Sequence, residues 1–148
     1  SRSHAHLEQT GMHQIYPDDG LIYMLERIAN GSGSGLYFRL FESNTTPALG
    51  DTLATYTLSN TSWGRIQVAL SAYTLEQVFT HIGSIQAPNI TFTNSTGSTK
   101  TVYGYVITDP GETELIAAAR FDAAPLTVLN GGTVVVTPTL GDMSNLSS

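Results

Sequence analysis

Leu126-Thr127-Val128-Leu129-Asn130-Gly131-Gly132-Thr133-Val134-Val135-Val136-Thr137-Pro138 carries the strongest strand signal in the chain. Asn130-Gly131-Gly132 supplies residues that tolerate the left-handed backbone of a tight turn, so the stretch reads as a hairpin. Its arms are rich in Val and Thr, whose β-branched side chains fit a pleated surface. Val134 and Val136 alternate against Thr133, Val135 and Thr137, the two-residue period of a strand with two faces. Pro138 has no N–H for a ladder, so it belongs at the strand's end or on an edge.

The same pattern extends backwards. Thr101–Thr108 reads as a strand with Tyr103, Tyr105 and Ile107 on one face. Asp109-Pro110-Gly111-Glu112 is a turn by its chemistry, and Glu114–Phe121 is the return strand. Ile90–Thr93 is a short strand. Trp63–Leu70 sets Ile66, Val68 and Leu70 against Arg65 and Gln67. Leu36–Phe41 sets Leu36, Phe38 and Leu40 against Tyr37 and Arg39. Thr52–Leu58 fits a short helix or a strand, and Tyr73–Ile82 fits either as well. Seven or so short strands joined by tight turns imply a mainly β chain, an antiparallel β-sandwich or jelly-roll-like body.

The N-terminal part differs. Leu21, Met24, Leu25 and Ile28 form one apolar stripe at helical spacing. Asp18 and Asp19 precede it as caps and Asn30-Gly31 follows, which predicts a helix over about 20–30. Gly31-Ser32-Gly33-Ser34-Gly35 is a flexible connector by composition. Residues 1–16 show neither period and read as an extended N-terminal arm or a disordered tail. The expected organisation is therefore an arm over 1–16 and a single β domain over 17–148, with strands from 36 onward.

Composition narrows the function. The chain of 148 residues is 41% hydrophobic but only 12% charged, about half the usual charged share. Its net charge is −6 and its only lysine is Lys100. That balance argues against nucleic acid, whose binding needs a basic patch. Without cysteine there is no disulfide, thiol catalysis or cysteine-bound zinc. No apolar run approaches the roughly 18 residues of a membrane-spanning helix, and no secretory leader is visible. Twenty Thr and 14 Ser leave a surface rich in hydroxyls and poor in charge. Such a surface suits burial against other subunits, since interface cores are depleted in Lys, Glu and Asp. It equally suits a bland monomeric β domain.

Catalytic and metal patterns are weak. His4 and His6 share one side of an extended segment and, with His13, resemble a transition-metal set, but no further ligand is tied to them. Asp18 and Asp19 lack the several acids of a calcium loop. His81 has no nucleophile elbow near it in sequence. Glu112 and Glu114 flank a turn, which is the ordinary place for solvated acids and not for a glycosidase pair. We therefore expect no enzyme, no cofactor and no metal. Asn-x-Ser/Thr triplets, among them those at Asn44, Asn60, Asn89, Asn94 and Asn145, read as turn composition more readily than as glycan acceptors. Trp63, Tyr73, Tyr103 and Tyr105 fit core or subunit-interface positions better than a sugar-stacking platform.

Five blocks, in this order, resemble small virion proteins of tailed phages, including cyanophages. They are Pro17-Asp18-Asp19-Gly20 with its helix, Leu40-Phe41-Glu42-Ser43-Asn44-Thr45-Thr46-Pro47, Tyr103-Gly104-Tyr105-Val106-Ile107-Thr108-Asp109, Ala118-Ala119-Arg120-Phe121-Asp122, and Asn130-Gly131-Gly132-Thr133-Val134-Val135-Val136-Thr137-Pro138. The blocks span about residues 17–140 and leave the arm uncovered. The resemblance implies a capsid cement or decoration protein on the outer capsid surface of the virion, commonly a homotrimer that clamps neighbouring capsomers. Its partners would be the major capsid protein and further copies of itself, with no nucleic acid and no membrane. The arm residues expected to bind a partner are Arg2, His4, His6, Leu7, Gln9, His13, Ile15 and Tyr16. The alternative is a tail or fibre-associated glycan-binding module.

Overall fold

The computed structural model describes residues 6–9, 14–15, 35–69, 72, 74–78, 81–86 and 88–140. The helix expected over about 20–30 lies outside the described residues. The strands are β1 (His6–Gln9), β2 (Gln14–Ile15), β3 (Leu36–Phe41), β4 (Arg65–Val68), β5 (Thr74–Val78), β6 (His81–Gln86) and β7 (Ile90–Thr93). They continue as β8 (Lys100–Val102), β9 (Gly104–Thr108), β10 (Leu115–Arg120), β11 (Leu126–Val128), β12 (Thr133–Val136) and β13 (Thr139–Leu140). One short helix, α1 (Thr61–Gly64), and a 3-10 turn at Leu53–Thr55 complete the described elements. The chain is mainly β, as its period-2 alternation and turn residues predict.

The strands form sheets in the orders β2-β10-β9-β3-β4, β1-β12-β7, β11-β8 and β13-β6-β5. All pairings are antiparallel except that of β1 with β12, which is parallel. Leu36, Phe38 and Leu40 are fully buried, as their alternation predicts. They join Tyr105, Ile107, Phe92, Val134, Val136, Val128, Phe121 and Trp63 in one core cluster. Phe38, Tyr105 and Phe121 run through it as a chain of rings, with centroids 5.8 and 6.3 Å apart. A smaller cluster of Phe41, Tyr56, Val106, Leu115 and Ala118 lies on the other face of the five-stranded sheet. All of β9 is therefore buried, with apolar packing on both sides.

Two local expectations are corrected. Thr101–Thr108 is not one strand. The ladder breaks at Tyr103, whose N–H donates to the Phe41 carbonyl and whose carbonyl accepts from the Phe121 N–H, each at 2.9 Å. The chain thereby leaves the β8–β11 pair and enters the five-stranded sheet, and Tyr103 packs against the smaller cluster while Tyr105 and Ile107 enter the main one. Gly104 makes that passage possible. A Cβ there would fall on the Ala119 carbonyl oxygen and within 2.7 Å of the Phe41 ring.

The hairpin across Asn130-Gly131-Gly132 is the second correction. The turn forms, with Gly131 at φ 84° and the Gly132 N–H donating to Leu129 O at 2.7 Å. Its arms do not pair: β11 joins β8, and β12 joins β7 and β1. Asn94 is the reason. Its N–H donates to Gly132 O, its carbonyl accepts from Gly131 N–H, and its side-chain amide donates to Val128 O. Asn94 thus satisfies backbone groups on both sides of the turn, and the arms splay into separate sheets.

Open alternatives also resolve. Thr52–Leu58 is neither a helix nor a full strand, but the 3-10 turn followed by an isolated bridge from Leu58 to Phe41. The Tyr73–Ile82 stretch yields β5 and the start of β6, so its Val and Thr content wins over the helical spacing. The Trp63–Leu70 stretch opens with α1, capped by the Asn60 side chain accepting from Ser62 N–H at 2.8 Å, and only then becomes β4.

Candidate functional site

Strand alternation sets Arg39 on the face of β3 opposite Phe38. In the β3–β4 register Arg39 sits directly across from Arg65. Two like charges facing across strands repel. Glu112 relieves this, with Arg65 Nη1 at 2.8 Å and Arg39 Nη1 at 3.4 Å from its two carboxylate oxygens. Burial holds the Arg39 guanidinium below its ordinary pKa, and Arg65 lowers it further against the opposing pull of Glu112. Arg65 also lies over the Tyr37 ring at 5.0 Å.

The turn between β9 and β10 delivers Glu112. Asp109 accepts from Thr113 N–H at 2.7 Å, Thr113 Oγ1 at 2.8 Å and Glu114 N–H at 2.8 Å. Glu112 itself stands at φ 54°, a left-handed conformation that costs a non-glycine residue energy. Replacing it separates strain from attraction. Glu112→Ala leaves the half-buried Arg39 facing Arg65 without a counter-charge, and unfolding in urea is expected to show a loss of roughly 1–3 kcal/mol. Glu112→Gly loses the same pairs but relaxes the backbone, and should be about 1 kcal/mol milder. Equal losses in the two variants would mean that the turn holds no strain.

Burial alone would push the Asp109 carboxyl up, but the hydrogen bonds from Glu114, Thr113 and its own backbone outweigh it and hold the carboxyl below its usual range. A folded-state pKa below the unfolded one gives stability that is present above about pH 4 and lost as pH falls through the folded value. The stability difference between the native chain and Asp109→Asn should therefore be constant near neutrality and shrink in acid. Thermal melts across that range check it, and a difference that grows in acid would contradict it.

Two arginines hold the segment that crosses this face of the sheet. Arg120 Nη1 donates to Thr45 O at 3.1 Å, and Arg39 Nη2 donates to Ser59 O at 2.7 Å, so residues 45 and 59 are tied at both ends. Between them the Tyr56 hydroxyl donates to Asp51 at 2.6 Å. Burial raises the Tyr56 pKa well above its ordinary value, and the Asp51 carboxylate adds to the rise. A shallow hollow of about 300 Å³ opens beside this segment, lined by Leu49, Gly50, Asp51, Thr52, Leu53, Thr113, Glu114 and Leu115. Asp51 is committed there to Tyr56 and to the Ala48 N–H. The lining offers carboxylates and hydroxyls without a histidine or an arginine to work with them.

The sequence-predicted residues fall as follows. Arg2, His4, His13 and Tyr16 lie outside the described residues. His6, Leu7 and Gln9 are on β1, at register positions opposite Thr133, Val134 and Val136. Ile15 is on β2 opposite Ala118. Part of the expected arm is thus extended and laid along two sheet edges of its own chain. Of the aromatics, Trp63 and Tyr105 are in the core, Tyr103 is covered by the Arg120 guanidinium at 5.3 Å, and Tyr73 lies outside the described residues. Asn94 is fully buried with its amide donating to Ser98 O and Val128 O, which leaves no nitrogen for a glycan. Asn44, Asn60 and Asn89 are exposed, and Asn145 lies outside the described residues. Among the described residues no three His, Asp or Glu side chains converge on a point that could hold a metal.

No protein-family model, curated protein or solved structure matches the chain. Sequence reasoning missed the Arg39–Glu112–Arg65 set, whose members are 47 and 73 positions apart. The one signal available was an acid directly after Pro-Gly in a turn. It also missed the role of Asn94, which nothing in its neighbours announced.

Proposed function

We propose that this chain is a capsid cement or decoration protein of a tailed phage, acting on the outer shell surface as a self-associating, trimeric body. It bridges neighbouring capsomers of the major capsid protein and has no catalytic task. The body is a β-sandwich of the jelly-roll kind, with the five-stranded sheet on one side of the main core and the β1-β12-β7 and β8-β11 strands on the other. The ordered sequence blocks over residues 17–140 support the virion reading. The observation that carries the mechanical part is the attachment of the N-terminal strands at sheet edges, β1 on β12 and β2 on β10. A segment joined by edge ladders can bridge surfaces without an active site. Threonines add to it: exposed Thr93 pairs with half-buried Thr133, and exposed Thr101 with exposed Thr127, giving faces with little charge to desolvate.

A glycan-binding tail module needs exposed rings, and draws no support from Trp63, Tyr105 or Tyr103 as they are packed. The cement reading is tested by adding the purified chain to empty phage heads that lack it. Saturable co-sedimentation and a higher temperature of head rupture are expected. Absence of binding overturns the reading.

A further inference from the structure

The edge of β12 is Thr133-Val134-Val135-Val136, four residues with no charge and no proline. An uncovered edge of that kind is a template for another strand, with neither charge nor proline within it to deter pairing. β1 covers it through a parallel ladder running from His6↔Thr133 to Gln9↔Val136. β2 covers the edge of β10 in the same way, at Gln14↔Ala119 and Ile15↔Ala118. Both covering strands are terminal in their sheets, so each is replaceable without disturbing any other ladder. They are joined to β3 by residues 16–35, which include Gly31-Ser32-Gly33-Ser34-Gly35. Twenty residues span at most roughly 70 Å when extended, far enough to reach an adjacent copy.

We propose that β1 and β2 are exchanged between copies, His6–Gln9 and Gln14–Ile15 of one chain completing the β12 and β10 edges of the next. The ladder is the same within one chain or between two, so local concentration decides which forms, and a closely packed assembly favours the exchanged form. This deepens the cement reading by naming the acceptor of the arm as a second copy of this chain.

The lack of cysteine gives a clean test. Glu8→Cys and Val135→Cys, opposite each other in register, are made as separate variants, mixed in denaturant, refolded together and oxidised. Most of the cross-linked product is expected to join position 8 of one chain to position 135 of another, as mapped by peptide mass. Ile15→Cys with Ala118→Cys repeats the test at the β2–β10 edge should Val135→Cys not fold. Refolded mixtures without the interchain 8–135 or 15–118 link overturn the exchange, as do doubly substituted chains that link only within themselves. A chain that fails to exchange yet still binds empty heads sinks this inference alone and leaves the cement reading standing.

Discussion

Phe38→Ala is expected to lower the unfolding free energy by about 3–5 kcal/mol, the range for removing a large aromatic side chain from a packed core. Phe38 is fully buried, and its ring is the first of the Phe38–Tyr105–Phe121 chain that crosses the main cluster. Truncation opens a cavity between strands whose ladders fix their spacing, so little collapse can refill it. A domain typically has about 5–15 kcal/mol in total, and the variant should unfold in urea at a far lower midpoint. Phe38→Leu, which keeps most of the volume, should recover more than half of the loss. If Phe38→Ala melts like the native chain, the core is not where the structure places it.

Asn94→Ala is the second large effect. The side chain is fully buried and makes four bonds. Its amide donates to Ser98 O at 2.8 Å and Val128 O at 2.9 Å, while its carbonyl accepts from Thr96 N–H and Thr96 Oγ1 at 3.0 and 2.7 Å. Alanine leaves the Val128 carbonyl buried without that donor, and a stranded buried group costs about 1–3 kcal/mol by itself. With the other bonds lost as well, a destabilisation of roughly 2–4 kcal/mol is expected. The site has a second readout. Once Asn94 is gone, nothing from its side chain keeps β11 and β12 apart, and amide exchange at Gly131 and Gly132 should accelerate. Native-like stability and protection in Asn94→Ala would show that the splayed turn does not depend on it.

These two residues also mark how far the sequence can be read. Phe38 was legible because alternation is a local property: Leu36, Phe38 and Leu40 announce a buried face within six residues. The same holds for Ile90 and Phe92 on β7, and for the turn that carries Asp109. Asn94 was not legible, because its partners at Val128 and Gly132 are far away in sequence and nothing local encodes them. For the same reason the hairpin expected at Asn130-Gly131-Gly132 became two strands in separate sheets: turn chemistry fixes the reversal but not the partners of its arms. Tyr103 shows a third case. The period placed it with Tyr105 and Ile107, but the ladder break before Gly104 turned it to the other cluster. In the candidate site, the alternation set Tyr37 and Arg39 apart from the core face, yet only the tertiary register brought Arg39, Arg65 and Glu112 together.

The strands β1 and β2 of the expected arm were not legible, since four and two residues are too few to show a period. Their attachment by edge ladders, together with a body poor in charge, makes the proposed function depend on self-association. Sedimentation equilibrium of the purified full chain tests that most directly. A homotrimer is expected, three times the 15.8 kDa chain, persisting on dilution through the micromolar range. A species that stays at the mass of one chain at every concentration would contradict it.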